Sequence, residues 1–283
     1  MIIRLSDKKD IPGIVALWNE AFGDSEKEIM FFINGKYVPE NTLIIEEDGE
    51  IASMLFLLEG MMCIKGVDYP SYYLYAACTL KKFRGRGFMA MLLEEAKRVS
   101  DLRKIYFICL MPGEKSLFDF YEKFGYKAVF SKKVLSINVN SDAENVDSES
   151  GYIENYEIMR NNAFSGFDYF KWDNQSIEFA VAHNKMYSGD RFCNRNGYCL
   201  YSANSDTLSV KEFAFTGIKS FESVLKIANS IKCNKVIVNL PSDYYTDVGE
   251  YEIVPSAMML AVNERSKNVS EGLKNAYLGL TLD

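Results

Sequence analysis

The stretch Leu74–Asp101, LYAACTLKKFRGRGFMAMLLEEAKRVSD, decides the fold of this chain. Residues 74–80 are apolar and rich in types that favour strands. The basic glycine turn Arg84-Gly85-Arg86-Gly87 interrupts them. From Phe88 onward, apolar residues recur at the spacing of one helix face. The stretch therefore predicts a buried strand, a basic glycine turn and a helix.

This turn has the features of a phosphate site. The first amides of a helix have no internal partner, and the helix dipole is positive at that end. Gly85 and Gly87 would let a pyrophosphate approach the backbone closely, and Arg84 and Arg86 would add charge and forked hydrogen bonds. A P-loop is excluded because no Lys-Ser or Lys-Thr follows the turn, and a dinucleotide fingerprint because Ala90 stands where a third glycine would be required.

The pattern Arg84-x-x-Gly87-x-Met89 resembles the (Q/R)-x-x-G-x-(G/A) loop of the GNAT superfamily of acetyl-CoA-dependent N-acetyltransferases. Met89 departs from the small residue of the family, so its side chain must point away if its amide is to bind phosphate. A second string, FDFYEKFGY at Phe118–Tyr126, resembles the end of the fourth helix of these enzymes. The tyrosine that matches Tyr121 there often protonates the leaving thiolate; without the resemblance, Tyr121 would be an ordinary core aromatic.

The resemblance implies acetyl-CoA as the co-substrate. Pyrophosphate would lie on the amides of the glycine loop, and the thioester carbonyl would lie near the end of the preceding strand, which splays from its neighbour in the family. The residues expected at the cofactor are Cys78, Thr79, Leu80, Arg84, Gly85, Arg86, Gly87, Phe88 and Met89. In the family, the loop between the first two helices lines the acceptor pocket, so the candidate substrate contacts are Trp18, Phe22 and Asp24. Core positions for the two aromatics and a solvated helix cap for Asp24 are the alternative.

The general base has no motif behind it. The single histidine, His183, lies in the second half of the chain without a visible partner. Candidate carboxylates are Asp24, Glu59 and Asp68. The C-terminal stretch Ala276–Asp283 alternates like a strand and ends in an α-carboxylate. In GNAT proteins of the enhanced-intracellular-survival type, the terminal carboxylate reaches back to the active site as a base, which makes Asp283 a catalytic candidate; an edge strand of the second half is the alternative.

Composition restricts the class of partner. The chain has 283 residues, 48% hydrophobic and 25% charged, with a net charge of −7. This predicts a globular protein and argues against nucleic acid as the main partner. The basic cluster Lys81, Lys82, Arg84 and Arg86 is a local exception that suits a small polyanion such as CoA.

Cysteine and histidine usage argues against a metal site. The six cysteines form no CxxC pair, and one histidine cannot complete the usual zinc spacing, so we expect free buried thiols and no metal. The N-terminus has no apolar signal core, and no apolar run reaches transmembrane length. The sequence therefore predicts a cytoplasmic protein that does not interact with membranes.

The order of elements predicts two domains in an α/β (α+β) fold. Residues 1–139 give the order β-α-α-β-β-β-α-β-α-β, which matches a full GNAT domain with a mixed sheet flanked by helices. Residues 140–151 are acidic and polar, as in a linker. Residues 152–283 contain Glu212–Ser220 where a cofactor loop would fall, with one glycine and no arginine. We expect a degenerate GNAT-like domain that has lost acetyl-CoA binding, as in a tandem GNAT protein of the enhanced-intracellular-survival type that lacks the final domain.

The leading functional hypothesis is an N-acetyltransferase that acts on a primary amine of a small molecule or peptide. The alternatives are a non-catalytic CoA-binding sensor or regulatory protein with the GNAT fold, and a structural partner that binds no cofactor. Retention of both the glycine loop and Tyr121 favours the enzyme. Closure over the acceptor pocket and a homo-oligomer contact are both open roles for the second half.

Overall fold

A computed structural model describes residues 1–139, 155–217 and 220–281. The chain divides into two compact units. Unit 1 comprises Met1–Gly60, Tyr69–Lys127 and Met258–Glu271, and unit 2 comprises Met61–Asp68, Ala128–Ala257 and Gly272–Asp283. The predicted linker, residues 140–151, lies outside the described residues. The predicted domain limits, 1–139 and 152–283, remain a prediction, because a compact unit and a sequence domain need not share their limits.

The elements are numbered here in chain order. The strands are β1 (Ile2–Leu5), β2 (Thr42–Glu47), β3 (Glu50–Ile64), β4 (Val67–Thr79), β5 (Phe107–Leu110), β6 (Lys127–Asn138), β7 (Tyr169–Lys171), β8 (Asp190–Asn194), β9 (Gly197–Ala203), β10 (Thr207–Phe215), β11 (Lys235–Pro241) and β12 (Glu250–Ala261). The helices are α1 (Ile11–Phe22), α2 (Glu26–Lys36), α3 (Phe88–Leu102), α4 (Ser116–Glu122), α5 (Tyr156–Ala163), α6 (Asn174–Met186), α7 (Ser220–Ser230) and α8 (Glu264–Val269). Up to β6, the order of helices and strands is the one predicted from the sequence.

Unit 1 is built on a mixed sheet. β1, β2 and β3 pair antiparallel, and Asp48-Gly49 forms the turn between β2 and β3 with φ of 54° and 79°. Positive φ at both residues gives the turn that matches the twist of a two-stranded hairpin. β4 and β5 pair in parallel, which requires a crossover, and α3 supplies it.

The last strand of unit 1 comes from far along the chain. Residues 258–261, the end of β12, pair antiparallel with β5. Met258 and Leu260 are buried in one apolar core with the inner face of α3, represented by Leu92 and Leu93. This core contains α3, α4 and one face of the sheet, and so holds the beginning of α3 against the end of β4.

Unit 2 repeats the strand–helix–strand plan of unit 1. β8, β9 and β10 pair antiparallel, β10 pairs in parallel with β11, and α7 is the crossover between them. β11 in turn pairs antiparallel with β6. Residues 61–63, at the end of β3, pair with β7. The order β10–α7–β11 therefore corresponds to β4–α3–β5.

Some elements differ from the sequence prediction. β7, β8, β12 and α8 had no counterpart in it. The predicted C-terminal strand is wrong over residues 276–281, which make only isolated bridges at Ala276 and Tyr277. Gly279 at φ +67 breaks the extended backbone there. Across the described ranges, no helix has the length and apolar character needed to cross a membrane.

Candidate active site

Unit 1 contains a cleft of about 470 Å³ at the carboxyl end of β4. Its walls come from the end of α1, the end of β4, the loop before α3, the first turn of α3, and α4. The residues that line it are Ala21, Phe22, Ala77, Cys78, Thr79, Phe83, Arg84, Gly85, Gly87, Phe88, Met89, Ala90, Leu117, Phe120 and Tyr121. The fold thus brings the glycine loop and Tyr121 to the same cleft.

The cleft opens because β4 and β5 pair over only part of their length. Their parallel register joins residues 71–73 to residues 107–109, whereas β4 continues to Thr79. Ala76 has φ +47, an unusual backbone conformation for a residue other than glycine. Beyond this point the end of β4 is not paired with β5, so its backbone can serve a ligand.

The glycine loop has the geometry of an anion cradle. Gly85 and Gly87 have φ of +78 and +80, and an added Cβ at either position would meet no atom within 4 Å. Glycine is therefore required by the backbone conformation, not by crowding within the protein. Gly87 is the N-cap of α3, so the amides of the first turn, beginning at Phe88, are available to an anion.

Two of the four cations near the loop are already paired. Arg86 forms an ion pair of 3.0 Å with Glu47, and Lys82 forms one of 2.6 Å with Glu50. Both carboxylates flank the β2–β3 turn. Arg86 is not among the residues that line the cleft, so the positive charge offered to a ligand is smaller than the sequence cluster suggests.

The end of β4 is fixed by a small hydrogen-bond network. Arg84 Nε donates to the carbonyl of Thr79 at 3.1 Å, which ties the two ends of the loop together. Ser53 Oγ donates to the carbonyl of Cys78 at 2.9 Å and lies 2.8 Å from Thr79 Oγ1. The amide of Leu80 donates to a β3 carbonyl at 2.9 Å and is thus already used. Of the three strand-end residues predicted from the sequence, Cys78 and Thr79 line the cleft and Leu80 does not.

Tyr121 projects from α4 into the cleft and is 8% exposed. Its ring packs against Phe120 and Tyr126 at centroid distances of 5.2 and 5.6 Å. Burial raises the pKa of Tyr121 to about 12. The hydroxyl therefore keeps its proton at neutral pH, which a general acid requires.

The residues predicted as acceptor contacts separate into two groups. Phe22, at the end of α1, is 49% exposed and lines the cleft. Trp18 is 3% exposed and packs in the core against Phe32. Its Nε1 donates to Asp24 Oδ2 at 2.8 Å. Trp18 and Asp24 therefore hold the chain after α1 in place, while Phe22 offers a surface to a ligand.

No candidate base lies among the residues that line the cleft. Glu59 accepts a hydrogen bond of 3.0 Å from an asparagine amide, and Asp68 of unit 2 pairs with Lys171 at 2.8 Å. His183, near the end of α6, stacks on Phe179 and also contacts the ring of Tyr187. Asp283 lies outside the described residues. The cleft lining contains no carboxylate or imidazole in the part of the chain that the structure describes.

Sequence reasoning missed several contributors to the site. Leu117 and Phe120 form the apolar wall beside Tyr121, and Ala77 adds a small side chain at the strand end. Helical spacing around Tyr121 could have indicated the first two. Ser53 supports the strand end from β3, and no local pattern around it points to that role.

The cleft fits a phosphate-bearing cofactor. The open space where a Cβ of Gly85 or Gly87 would stand leaves room for phosphate oxygens close to the backbone. The remainder of the lining is mostly apolar, which suits a pantetheine arm and a thioester. Among the described residues, no group of three or more His, Cys, Asp or Glu side chains is placed to hold a metal ion.

Comparison with known proteins agrees with this fold. Residues 2–129 match the family model described as an acetyltransferase (GNAT) domain. Similar solved structures include a probable N-acyltransferase from Enterococcus faecalis V583, with 13% identity, a TM-score of 0.73 and coverage of 94% of this chain and 74% of that one. A GCN5-related N-acetyltransferase from Anabaena variabilis has 16% identity, a TM-score of 0.75 and the same coverage of 94% and 74%. Eis1 from Mycobacterium abscessus has 12% identity, a TM-score of 0.70 and coverage of 93% and 74%.

At such identities the structural likeness concerns the fold alone. No curated protein matches the chain. The family model covers the residues that build β1 to β5 and all of the loop and helices around the cleft. Residues 2–129 therefore match a GNAT acetyltransferase domain, and the chain has, over most of its length, the fold of the solved GNAT N-acetyltransferases.

Proposed function

We propose that this protein transfers an acetyl group from acetyl-CoA to a primary amine of a small molecule or peptide. The observation that carries the proposal is one cleft lined both by a backbone cradle at Gly85 and Gly87 and by a buried Tyr121, whose pKa burial raises to about 12. When bound, acetyl-CoA would supply an activated thioester. The cytoplasmic location predicted from the sequence belongs to the same proposal.

Different parts of the cleft would bind the cofactor and supply the proton. The amides of the first turn of α3 would hold the pyrophosphate, and Arg84 would add its charge while it ties the loop to Thr79. The backbone at the end of β4, where that strand is not paired with β5, would orient the pantetheine and the thioester carbonyl. Tyr121 would give its proton to the departing thiolate, because that proton is retained up to a pKa of about 12.

Transfer would be direct, without an acyl-cysteine. Cys78 lines the cleft, but burial raises the pKa of its thiol well above the ordinary value. Since the thiolate is the nucleophile, a thiol that remains protonated is a poor acceptor. Cys78→Ala is therefore expected to keep its turnover, and loss of turnover in a folded variant would contradict direct transfer.

Titration calorimetry of acetyl-CoA is the first experiment. Wild type is expected to bind with one site per chain, and Arg84→Glu to lose that binding. Tyr121→Phe is then expected to bind acetyl-CoA as wild type does but to lose about 10²- to 10⁴-fold in kcat, the usual contribution of a general acid. If folded wild type fails to bind, the enzyme hypothesis is wrong.

One observation favours the non-catalytic alternative. No carboxylate or imidazole of the described residues lines the cleft, and an amine near its ordinary pKa of about 10.4 is mostly protonated at neutral pH. A CoA-binding sensor would need no base. Binding without turnover against a panel of amines at about pH 9, where free amine is more abundant, would support the sensor over the enzyme.

A further inference from the structure

Unit 2 contains a strand opening that corresponds to the cleft of unit 1. β10 and β11 pair in parallel only as far as Val210 and Val238. Beyond them β10 stays paired with β9 to its end, after a shift of register before Glu212, and β11 stays paired with β6. The ends of β10 and β11 are thus paired with β9 and β6 along their outer edges, and they are not paired with each other.

The C-terminal segment, defined here as Ala276–Thr281, lies at this opening. Tyr277 Oη donates to the carbonyl of Asn239, the first β11 residue beyond the pairing, at 3.3 Å. Gly279 lies against Glu212 of β10, since a Cβ there would be 3.0 Å from Glu212 Oε2. One short segment therefore contacts both separated strand ends, and its residues 276–278 and 280 are buried.

Backbone hydrogen bonds hold the beginning of the segment beside β6 and β7. The amide of Ala276 donates to the carbonyl of Val129 at 3.0 Å, and the amide of Tyr277 donates to the carbonyl of Asp168 at 2.8 Å. Trp172 Nε1 donates to the carbonyl of Leu280 at 2.9 Å. The segment is bound mainly through its backbone, and it reaches the opening with the side chain of Tyr277 and with Gly279.

A fully buried ion pair fixes the segment. Arg160, from α5, is 0% exposed and its Nε donates to Glu212 Oε1 at 2.6 Å. Its Nη1 donates to the carbonyl of Phe170 at 2.6 Å and its Nη2 to that of Leu278 at 3.3 Å. A buried pair is stable only when its remaining donors are also satisfied, and here the C-terminal segment supplies one of the acceptors. Burial raises the pKa of Glu212, and Arg160 and the backbone of Leu280 oppose that rise.

We propose that the opening between β10 and β11 is a peptide-binding slot, occupied by the chain's own C-terminal segment and closed by Arg160 and Glu212. Unit 1 keeps its strand opening for a phosphate-bearing ligand, whereas unit 2 uses the equivalent opening for polypeptide. The proposal does not depend on the activity of unit 1. It also gives a physical reason for one cofactor site per chain.

Gly279→Ala in the full chain tests the slot. The new Cβ would stand 2.7 Å from Tyr277 Cε1 and 2.8 Å from Arg160 Nη2, at φ +67. The matched control is Gly272→Ala, which has φ +74 and no atom within 4 Å of the added Cβ. Both variants carry the same backbone strain, so any difference between them is due to the clash. Hydrogen exchange over residues 276–281 is expected to be at least about tenfold faster in Gly279→Ala than in the control.

A synthetic peptide of residues 272–283 is then added to Gly279→Ala. It is expected to bind and to slow exchange at the amides of Ser131 and Phe170, which donate to the carbonyls of Ala276 and Tyr277 in the wild-type chain. Exchange equal to the control in a folded Gly279→Ala, or no binding of the peptide, would overturn the proposal. Should Gly279→Ala fail to fold, Trp172→Phe removes the bond to Leu280, and exchange at residues 280–281 must still rise several-fold.

Discussion

Replacing Gly87 with alanine separates what the glycine loop needs for folding from what it needs for its ligand. Gly87 has φ +80, where a residue with a Cβ costs about 1–2 kcal/mol relative to glycine. An added Cβ meets no atom within 4 Å, so no clash increases that cost. We therefore expect the free energy of unfolding of Gly87→Ala to fall by about 1–2 kcal/mol, within the usual range for a single substitution.

The effect on cofactor binding should be larger. The Cβ would fill the space in which a phosphate approaches the first amides of α3, beginning at Phe88. A hydrogen bond to a charged group contributes about 1.5–3 kcal/mol, so the loss of one such bond lowers affinity by about ten- to 150-fold. Titration calorimetry with acetyl-CoA and a urea denaturation curve measure the two effects on the same sample.

Gly49→Ala is the matched control. Gly49 has φ +79, an added Cβ also meets no atom within 4 Å, and the residue lies in the β2–β3 turn outside the cleft lining. It should show the same loss of stability and unchanged affinity for acetyl-CoA. If folded Gly87→Ala binds acetyl-CoA as tightly as Gly49→Ala, phosphate does not lie at Gly87 and the cradle is wrong.

Three further predictions follow from the structure. A fragment of residues 1–139 lacks Met258, Leu260 and Val262 of the unit 1 core, which would each contribute about 1.5–3 kcal/mol against a typical total of 5–15 kcal/mol, so we expect no cooperative thermal transition in circular dichroism. Arg4 lowers the pKa of Asp10 below its ordinary 3.8. The stability that this pair contributes is therefore present above pH 3.8 and is lost as the pH falls through the lower pKa of the folded state. The difference in urea midpoint between wild type and Asp10→Asn should shrink over that range. Because Tyr121 keeps its proton up to a pKa of about 12, kcat/KM should rise with pH through the pKa of the acceptor amine, and an alkaline fall centred at about pH 9 would remove Tyr121 as the acid.

Local patterns explain why much of unit 1 could be predicted. Three features depend only on residues that are close together in the sequence: the Asp48-Gly49 turn, the Gly87 cap and the apolar face of α3. In each case the backbone preference of glycine or the spacing of apolar residues is enough to predict the element. The approach of the glycine loop to Tyr121 came from the resemblance, because no local pattern brings α4 to the end of β4.

Partner choice among charged side chains could not be predicted in this way. The sequence groups Arg86 with the other basic residues near the loop, yet its carboxylate partner Glu47 belongs to a different strand. Trp18 looks like a candidate ligand contact until its burial and its bond to Asp24 are known. Such roles depend on which strands become neighbours, and a one-dimensional pattern does not contain that information.

The last strand of unit 1 shows what this means for function. Residues 258–261 lie far beyond residue 129, where the family match ends, yet they pair with β5 and bury Leu260 in the core beneath α3. β5 is thus held between β4 on one side and this late segment on the other. Because the cleft exists only where β4 leaves β5, the position of β5 is part of the site. The residues predicted for the site are local in this sequence, but the sheet that makes them a cleft is not.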